Sequence, residues 1–338
     1  MKRIFIKLLV IGVFLTSCEN QPWDFPDFDY TTVYFAYQSP VRTLVLGVDY
    51  TYDNTLDNEH KCLIMATLGG VYENNRDVII DVEVDNTLCD SLKFNAAGGD
   101  DAIAMPADYY SIPSDMQIII PAGRLLGGIE VQLMDAFFDD TLSIKNTYVI
   151  PLVMNSVTNA DSILRGVTEL DYADRRINEH WSTVPKDYIM YAVKYINPWH
   201  ASYLRRGIET IDGSIKNIYH EKYVENDQVC SAVTRSKNEV TIALTALEDD
   251  GTKTPFEVML TFDDNNKCSV QNLPSASYTV TGSGKYEEET EMWGDKPRNA
   301  LYLQFDVDFG TSVHSFTDTL VLRDRGVSLE TFNPVVVN

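Results

Sequence analysis

Positive charge is scarce in this sequence. Its 338 residues include 27 Lys and Arg against 50 Asp and Glu, which gives a formal net charge of −23 at pH 7. Such a surface lacks the basic patch through which proteins bind nucleic acid or anionic lipid headgroups, so both partner classes are excluded. The 44% of hydrophobic residues is ordinary for a folded protein. The acidic residues therefore indicate a solvated surface and not disorder.

A bilayer-spanning apolar segment, which takes about 20 residues, is also lacking at the N-terminus. The apolar run from Ile4 to Leu15 is shorter, is interrupted by Lys7, and follows the basic residues Lys2 and Arg3. A basic start followed by a short apolar core is the layout of a secretory signal. The N-terminus is therefore predicted to direct export and not to span the membrane.

The residues after this core, Leu15-Thr16-Ser17-Cys18, resemble the bacterial lipobox, in which the Cys is diacylated and becomes the mature N-terminus. We predict a lipoprotein signal peptide over residues 1–17 and a lipid anchor on Cys18; the alternative is an ordinary signal peptide with an accidental Cys. Residues 18–30 are acidic, contain Pro and show no periodicity, which predicts a tether. They resemble the acidic export signal of Bacteroidetes lipoproteins, which implies an outer-membrane protein facing the medium.

Zinc and redox cysteine motifs are absent. Beyond Cys18 the chain has Cys62, Cys89, Cys230 and Cys268, whose spacing matches no zinc pattern and includes no Cys-x-x-Cys. An exported protein is allowed disulfides but does not require them, so buried free thiols are an equal alternative. If disulfides form, we expect Cys62 with Cys89 and Cys230 with Cys268, because only this pairing stays within domains.

The first half of the chain is typical of short β-strands. Val78, Ile80, Val82 and Val84 lie on one face of a predicted strand, with Asp81, Glu83 and Asp85 on the other. Further strands are predicted at residues 31–38, 42–47, 60–68, 117–121, 128–135 and 147–156. About seven short strands with Gly and Pro in the turns predict an immunoglobulin-like β-sandwich over residues 31–160. The Cys…Trp…Cys core of antibody domains is absent, so only the general architecture is expected.

A charged stretch at residues 161–185 interrupts this rhythm and is predicted to be the domain junction. The second half, residues 186–338, again alternates with period two. The residues that share a face in its clearest strands are Ile189, Tyr191, Val193 and Tyr195, then Leu301, Leu303, Phe305, Val307 and Phe309. Seven or eight successive hairpin-connected strands predict an antiparallel β-barrel of lipocalin or calycin type. The fold class is therefore all-β, a sandwich followed by a barrel.

Catalytic and cofactor motifs are missing from the sequence. It has no Gly-x-Ser-x-Gly, no His-Glu-x-x-His, no EF-hand loop and no dinucleotide fingerprint, and its five histidines form no i, i+4 pair. Asp139-Asp140 and Asp263-Asp264 are acidic turns of a kind that sometimes holds calcium, although most such turns hold no metal. We expect no enzyme activity and no cofactor.

Several segments are similar to a family of outer-surface lipoproteins of gut Bacteroidetes. In the first half they include Tyr34-Phe35-Ala36-Tyr37-Gln38, residues 69–76, 106–110, 120–123 and 148–152; in the second half they are residues 194–199, 203–207 and 318–325. The resemblance implies an immunoglobulin-like N-terminal domain, a calycin-like barrel and a polysaccharide-utilisation locus. It also implies a TonB-dependent transporter and a starch-binding-type (SusD-like) lipoprotein as partners, and accessory glycan capture. No catalytic or binding residue carries over from it.

The aromatic residues at the ends of the barrel strands suggest where a glycan would bind. Sugars stack their C–H faces on aromatic rings and bond their hydroxyls to planar polar groups. A glycan site is predicted on one binding face formed by Trp199, Trp293, Asn197, Tyr203, Arg205 and Arg206. The alternative is that Trp199 plugs the barrel end while Arg205 pairs with a carboxylate.

The sequence therefore predicts a non-catalytic cell-surface lipoprotein that assists glycan capture for a TonB-dependent uptake system. One alternative is a structural or docking subunit of the transporter complex that has no ligand of its own. A second alternative is a glycoside hydrolase whose site is dispersed over loops, because two suitably spaced carboxylates are not recognisable in so acidic a sequence.

Overall fold

The computed structural model describes residues 27–248 and 250–337. The predicted signal peptide, Cys18 and most of the predicted tether lie outside these residues. Within the described part of the chain, no helix has both the length and the apolar character needed to cross a membrane.

The first domain is built from short strands in which alternate side chains are buried. In strand β3, for example, Cys62, Ile64, Ala66 and Leu68 point inward while their neighbours are more exposed. Two short α-helices interrupt the strands, α1 (Thr55–Asn58) and α2 (Asp135–Asp139), together with 3-10 turns at Asn86–Cys89, Thr141–Ile144 and Asn178–His180. The strands are β1 (Thr32–Tyr34), β2 (Pro40–Val45), β3 (Lys61–Gly69), β4 (Val78–Val84), β5 (Leu92–Phe94), β6 (Ile103–Ala104), β7 (Tyr110–Ser111), β8 (Gln117–Ile120), β9 (Leu126–Leu133), β10 (Tyr148–Thr158), β11 (Ser162–Ile163) and β12 (Tyr188–Ile196).

The strands of this domain enclose one core. Their order along the sheet is β11-β1-β3-β9-β8-β4-β10-β12-β2, with β6 and β7 paired to β10 and β9. Strands from both halves of this order bury side chains in the same cluster, for example Ile64 and Val131 from one half and Ile80 and Ile150 from the other. The two halves of the sheet therefore face each other across this core as in a sandwich, as predicted. Six of the seven predicted strand positions agree with the structure within two residues at each end.

The predicted domain boundary at residue 186 differs from the hydrogen bonding. The sequence predicts residues 188–196 as part of the barrel, yet strand β12 pairs antiparallel with β10 and parallel with β2. It is buried on both faces: Tyr191 and Tyr195 enter the sandwich core, while Met190 and Ala192 join a second apolar cluster. The alternating pattern predicts the strand, but the strands to which it is hydrogen-bonded determine its domain. The barrel therefore begins after Ile196.

The second domain is a closed antiparallel barrel of eight strands. Closure comes from ten register pairs between its first and last strands, which include Tyr203 with Leu322 and Arg205 with Leu320. Strand β14 is not one of the eight barrel strands and is hydrogen-bonded to the second half of β13. The strands are β13 (Ala201–Ile211), β14 (Ser214–Tyr219), β15 (Gln228–Ser236), β16 (Glu239–Leu247), β17 (Lys253–Phe262), β18 (Lys267–Asn272), β19 (Thr279–Trp293), β20 (Lys296–Asp308) and β21 (Val313–Asp324). The predicted barrel is confirmed.

The barrel interior is filled with side chains. Leu301, Leu303, Phe305 and Val307 alternate inward along β20, as their period predicted, and all are buried. Full burial of each such side chain contributes about 1.5–3 kcal/mol. Phe309 lies just beyond the strand and packs against the same core. The interior is therefore a packed core.

The two domains are tied together at one barrel end. The buried Arg325 guanidinium donates to the carbonyl oxygens of His200 (2.6 Å), Asn197 (2.7 Å) and Val48 (3.0 Å). The Tyr50 hydroxyl, from the loop after β2, donates to Asn299 Oδ1 at 2.7 Å. A first-domain loop thus enters the barrel end.

The C-terminal segment then returns to the first domain. Strand β22 (Glu330–Thr331) pairs with β2, and strand β23 (Pro334–Val336) pairs with β5. Phe332 between them is buried against Phe94, with ring centroids 4.6 Å apart. The last residues of the predicted barrel domain therefore stabilise the sandwich.

Candidate functional site

Trp199 does not form part of an exposed face. Only 7% of its surface is accessible, and its indole stacks on the Phe262 ring with centroids 3.9 Å apart and planes within 4°. It lies in the turn that joins the two domains, where Pro198 packs so closely on Gly47 that a Cβ at residue 47 would lie 2.9 Å from the proline ring. The prediction that Trp199 is partly exposed is wrong, and the alternative, a plug in the barrel end, is confirmed.

Asn197 and Tyr203 are also buried and already bonded. The Asn197 side chain donates to the carbonyl oxygens of Ser236 (3.0 Å) and Glu239 (2.9 Å). The Tyr203 hydroxyl donates to the Trp199 carbonyl oxygen at 2.8 Å. These groups stabilise the domain joint, so the prediction that they bind glycan is contradicted by their burial.

Arg205 is directed into the barrel. It is 0% exposed, its Nε donates to Asp318 Oδ2 at 3.0 Å, and the Tyr219 ring covers the guanidinium at 3.7 Å. The pair fits only because residue 207 is Gly: a Cβ there would lie 1.9 Å from Asp318 Oδ1. Arg205 therefore cannot reach a glycan, whereas the alternative of pairing with a carboxylate is confirmed. Its neighbour Arg206 is half-buried and forms an ion pair with Asp227.

Trp293 is the member of the predicted set that keeps an accessible ring. It lies at the tip of the β19–β20 hairpin and is half-buried. The Arg298 guanidinium lies 4.7 Å from its ring and 4.3 Å from the Tyr50 ring, so it is held between the two. One face of the indole is thus covered, and the buried residues of the predicted set do not combine with it to form a surface.

The barrel wall has an opening that side chains close. Strand β15 pairs with β16 over residues 239–242 in the described chain, and β16 continues beyond them. There the Tyr219 hydroxyl donates to Glu209 Oε2 (2.6 Å) and lies 3.0 Å from the Thr245 carbonyl oxygen, and the Leu247 N–H donates to Glu209 Oε1 (2.9 Å). Burial, with the hydrogen bond to Glu209, raises the pKa of Tyr219 to about 12, so it remains a donor at neutral pH.

The same network continues to a buried histidine. His314 Nδ1 lies 2.7 Å from Glu209 Oε1, and its Nε2 lies 3.0 Å from the Ser312 hydroxyl. A cavity of about 280 Å³ lies outside this network and is lined by Tyr219. The polar cluster therefore links β13, β14, β16 and β21 at the place where the pairing of β15 with β16 ends, and it belongs to the barrel wall.

A polar cleft on the first domain has the accessible groups that the barrel end lacks. Its volume is about 440 Å³, within the range of roughly 300–1,000 Å³ usual for ligand pockets. Buried Tyr188 and Phe332 contribute to its base. Its accessible polar and aromatic side chains are Tyr37, Gln38, Arg176, Asn178, Glu179 and Asn333.

Tyr37 provides the exposed ring of the cleft. It is 54% exposed and lies in the turn between β1 and β2. The adjacent Gln38 is fixed by a hydrogen bond from its Nε2 to the Phe35 carbonyl oxygen (2.6 Å), and its Oε1 is not used in that bond. An apolar groove of about 320 Å³, which includes Met65 and Leu126, lies on the other side of Tyr37. The ring therefore borders a polar and an apolar surface.

The opposite wall is rigid because Arg176 is held on several sides. Its Nε and Nη2 donate to Asp174, at 2.9 and 2.6 Å, and its Nη1 donates to the carbonyl oxygens of Asp90 (2.7 Å) and Leu88 (3.1 Å). The hydrogen bonds within this pair lower the pKa of Asp174 and raise the pKa of Arg176. The segment that carries Asn178 and Glu179 is thereby fixed over the cleft.

Sequence reasoning did not identify this cleft. Tyr37 and Gln38 belong to a segment that resembles the Bacteroidetes lipoprotein family, but the sequence alone does not assign them to a site. An aromatic and an amide side chain in a turn before Pro40 are residue types that could have indicated a sugar-binding site. The other walls come from residues 176–179 and 331–334. Nothing in their composition indicates that the chain brings them together.

The cysteines and acidic turns have structural roles in the described chain. Cys62, Cys89, Cys230 and Cys268 are free, in agreement with the alternative of unpaired thiols. The aspartates of the two acidic turns bond to neighbouring groups of the protein. Asp263 Oδ1 accepts from the N–H groups of residues 265 and 267, and Asp140 accepts from the hydroxyls of Tyr109 and Tyr148. Within residues 27–248 and 250–337, no three His, Cys, Asp or Glu side chains assemble into a metal-binding group.

Comparison with known proteins agrees with the two-part architecture. A family model described as a domain of unknown function, DUF5627, matches residues 198–326, and a model for an N-terminal domain matches residues 28–161. The first begins just after β12, where the structure begins the barrel. No curated protein matches the sequence.

Two crystal structures of Bacteroides ovatus proteins of unknown function are similar to this chain. One, at 2.61 Å resolution, has 15% sequence identity and a TM-score of 0.36, and the alignment covers 90% of this chain and 99% of that one. The other, at 2.40 Å, has 42% identity and a TM-score of 0.84, and the alignment covers 92% of this chain and all of that one. The protein therefore belongs to the same family as this second Bacteroides ovatus protein, and in its own chain a DUF5627 barrel follows the N-terminal domain.

Proposed function

We propose that this protein is a non-catalytic, lipid-anchored lipoprotein of the outer cell surface that captures oligosaccharides for a TonB-dependent uptake system. The observation that carries the proposal is the exposed Tyr37 ring at the edge of a fixed polar cleft. A sugar presents an apolar face that stacks on such a ring and hydroxyls that bond to side-chain amides. Gln38, Asn178 and Asn333 supply amides within the same cleft.

The absence of a catalytic pair in the cleft supports binding without hydrolysis. Glycosidases use two carboxyl groups on either side of the scissile bond. Among the described residues that line the cleft, Glu179 is the single carboxylate. A polysaccharide bound here would therefore meet one half of the required pair.

The cell-surface part of the proposal rests on the sequence. The lipobox-like residues ending at Cys18 and the acidic segment after it support a lipid anchor and export to the outer face. A TonB-dependent transporter and a SusD-like lipoprotein are the partners implied by the family resemblance. Capture in the cleft would supply such a transporter with ligand.

Binding of the mature protein in detergent to an oligosaccharide array, followed by titration of the best ligand, tests the function. Stacking on an aromatic ring contributes about 0.5–1.5 kcal/mol, so Tyr37→Ala should weaken binding roughly two- to twelve-fold. Tyr223→Ala is the matched control, because Tyr223 is 53% exposed but lies on the barrel. If glycan binds but Tyr37→Ala binds it like the parent protein, the cleft is not the capture site. If no glycan binds at all, a docking subunit without a ligand becomes the better interpretation.

A further inference from the structure

The charges around the cleft limit the class of glycan that it accepts. Arg176 and Glu179 are the formally charged residues among those described as lining it. Anionic sugars such as uronic acids and sugar sulfates are normally held by Arg or Lys in charge-assisted, often bidentate hydrogen bonds. The question is therefore whether Arg176 is available to an anion.

Arg176 is already committed to the protein. Its bidentate partner Asp174 neutralises its charge, and the carbonyl oxygens of Leu88 and Asp90 accept both hydrogens of Nη1. Four of its five N–H groups are therefore engaged. An anionic sugar would have to displace a carboxylate that is already ideally oriented, so Arg176 serves as a wall and not as an anion receptor.

Glu179 leaves the cleft negative. It is exposed at the rim, and the Asp174–Arg176 pair beside it carries no net charge. The whole chain adds a formal net charge of −23. Salt screens the distant charges over about 8–10 Å, so the Glu179 carboxylate is the main charge that a bound ligand meets.

From this arrangement we infer that the cleft selects neutral oligosaccharides and rejects uronic acid-containing and sulfated ones. The inference rests on the proposed function, since it names the ligand class of the same cleft. Hydroxyl groups of neutral sugars bond to Gln38, Asn178 and Asn333 without any need for a cation. A carboxylate or sulfate on a ligand in this cleft would be repelled by the Glu179 carboxylate at its rim.

Paired probes test the selectivity with the mature protein. The probes are xylo-oligosaccharides with and without a glucuronic acid branch, and galacto-oligosaccharides with and without sulfate, all of equal length. We expect each acidic member to bind at least about five-fold more weakly than its neutral partner at low salt, as one like-charge contact implies, and the difference to shrink at high salt. Acidic probes that bind as tightly as neutral ones overturn the inference.

A charge reversal separates the cleft from the overall field. Glu179→Lys should narrow the difference between neutral and acidic probes, whereas Glu169→Lys should leave it unchanged. Glu169 is exposed on the same connecting segment but does not line the cleft, and both variants change the net charge equally. If Glu169→Lys narrows the difference as much, the selectivity does not come from the cleft. If the protein binds only acidic probes and Tyr37→Ala weakens that binding, the inferred selectivity for neutral sugars is refuted but the proposed function is not. If no glycan binds at all, the proposed function is refuted.

Discussion

Replacement of Trp199 tests the interpretation of this residue as part of the core. Its indole is buried at the barrel end and lies parallel to the Phe262 ring at 3.9 Å. Its Nε1 has no hydrogen-bond partner in the described chain, so the contribution of the side chain comes from packing. Trp199→Ala would leave a cavity at the barrel end that the packed neighbours fill only in part.

The expected cost follows from measured truncations of buried aromatic residues, which lie at about 3–5 kcal/mol. In a domain of this size each kcal/mol lowers the thermal midpoint by about 2–4 °C, so the variant should unfold roughly 6–20 °C earlier. Trp293→Ala is the matched comparison, because the half-buried Trp293 loses mainly its contact with Arg298. Arg298 is buried, and a desolvated cation–π contact contributes up to about 2 kcal/mol, so this midpoint should fall by no more than about 8 °C.

Thermal unfolding followed by circular dichroism, with urea unfolding as a second measurement, is the assay. Trp199→Phe adds a further check: it keeps a ring on Phe262 and removes an unbonded buried N–H, so its midpoint should lie well above that of Trp199→Ala. If Trp199→Ala melts within about 2 °C of the parent protein, the ring is not packed as described and the barrel end is open.

Three further predictions follow from particular contacts. Tyr219→Phe removes the hydroxyl that donates to Glu209 and lies beside the Thr245 carbonyl oxygen, and it should lower the free energy of unfolding by about 1–3 kcal/mol in urea titrations. An unchanged value would mean that the barrel wall does not depend on this hydroxyl. Burial, together with the neighbouring Arg325, lowers the pKa of His200 to about 4, below its ordinary value of 6.5. As the pH falls, the unfolded chain therefore binds the proton before the folded chain does. The free energy of unfolding should decline by up to about 1.4 kcal/mol per pH unit between pH 6.5 and 4. His200→Asn keeps an acceptor for the Thr234 N–H and should lack that part of the decline; equal pH profiles would refute it. Cys18→Ala should release soluble or unprocessed protein from the membrane fraction, and if protease treatment of whole cells spares the parent protein while other surface proteins are cut, the surface location is wrong.

Much of the fold could be predicted because its strands repeat a local pattern. The alternation of Leu301, Leu303, Phe305 and Val307 requires a strand with one buried face, and successive strands with short turns favour hairpins. Eight such hairpin-linked strands leave few arrangements other than a barrel. The sandwich was recognisable for the same reason, since β3 and β4 each alternate along their length.

The domain boundary could not be predicted because alternation does not identify a strand's partner. Strand β12 (Tyr188–Ile196) has the same pattern as a barrel strand, but its register with β10, as in Ile150 with Tyr191, assigns it to the sandwich. The C-terminal strands β22 and β23 return to the first domain through pairings with residues about 240 to 290 positions earlier in the sequence. Such long-range pairings leave no periodic signal.

The candidate site failed for a related reason, which concerns residue chemistry. A Trp next to Pro, with Asn, Tyr and Arg nearby, meets the requirements of a sugar site and those of a buried joint between domains equally well. The Asn197 amide could bond to a sugar hydroxyl, but in the structure it bonds to the ends of strands β15 and β16. The Arg205 guanidinium could bind a sugar, but it pairs with Asp318 inside the barrel. What distinguishes the two is exposure, which depends on the partners that the fold supplies. Tyr37 has the exposed ring because its turn ends at the open edge of a cleft whose other walls come from distant segments, so the site emerges only when the sandwich, the connecting segment and the C-terminal strands are assembled.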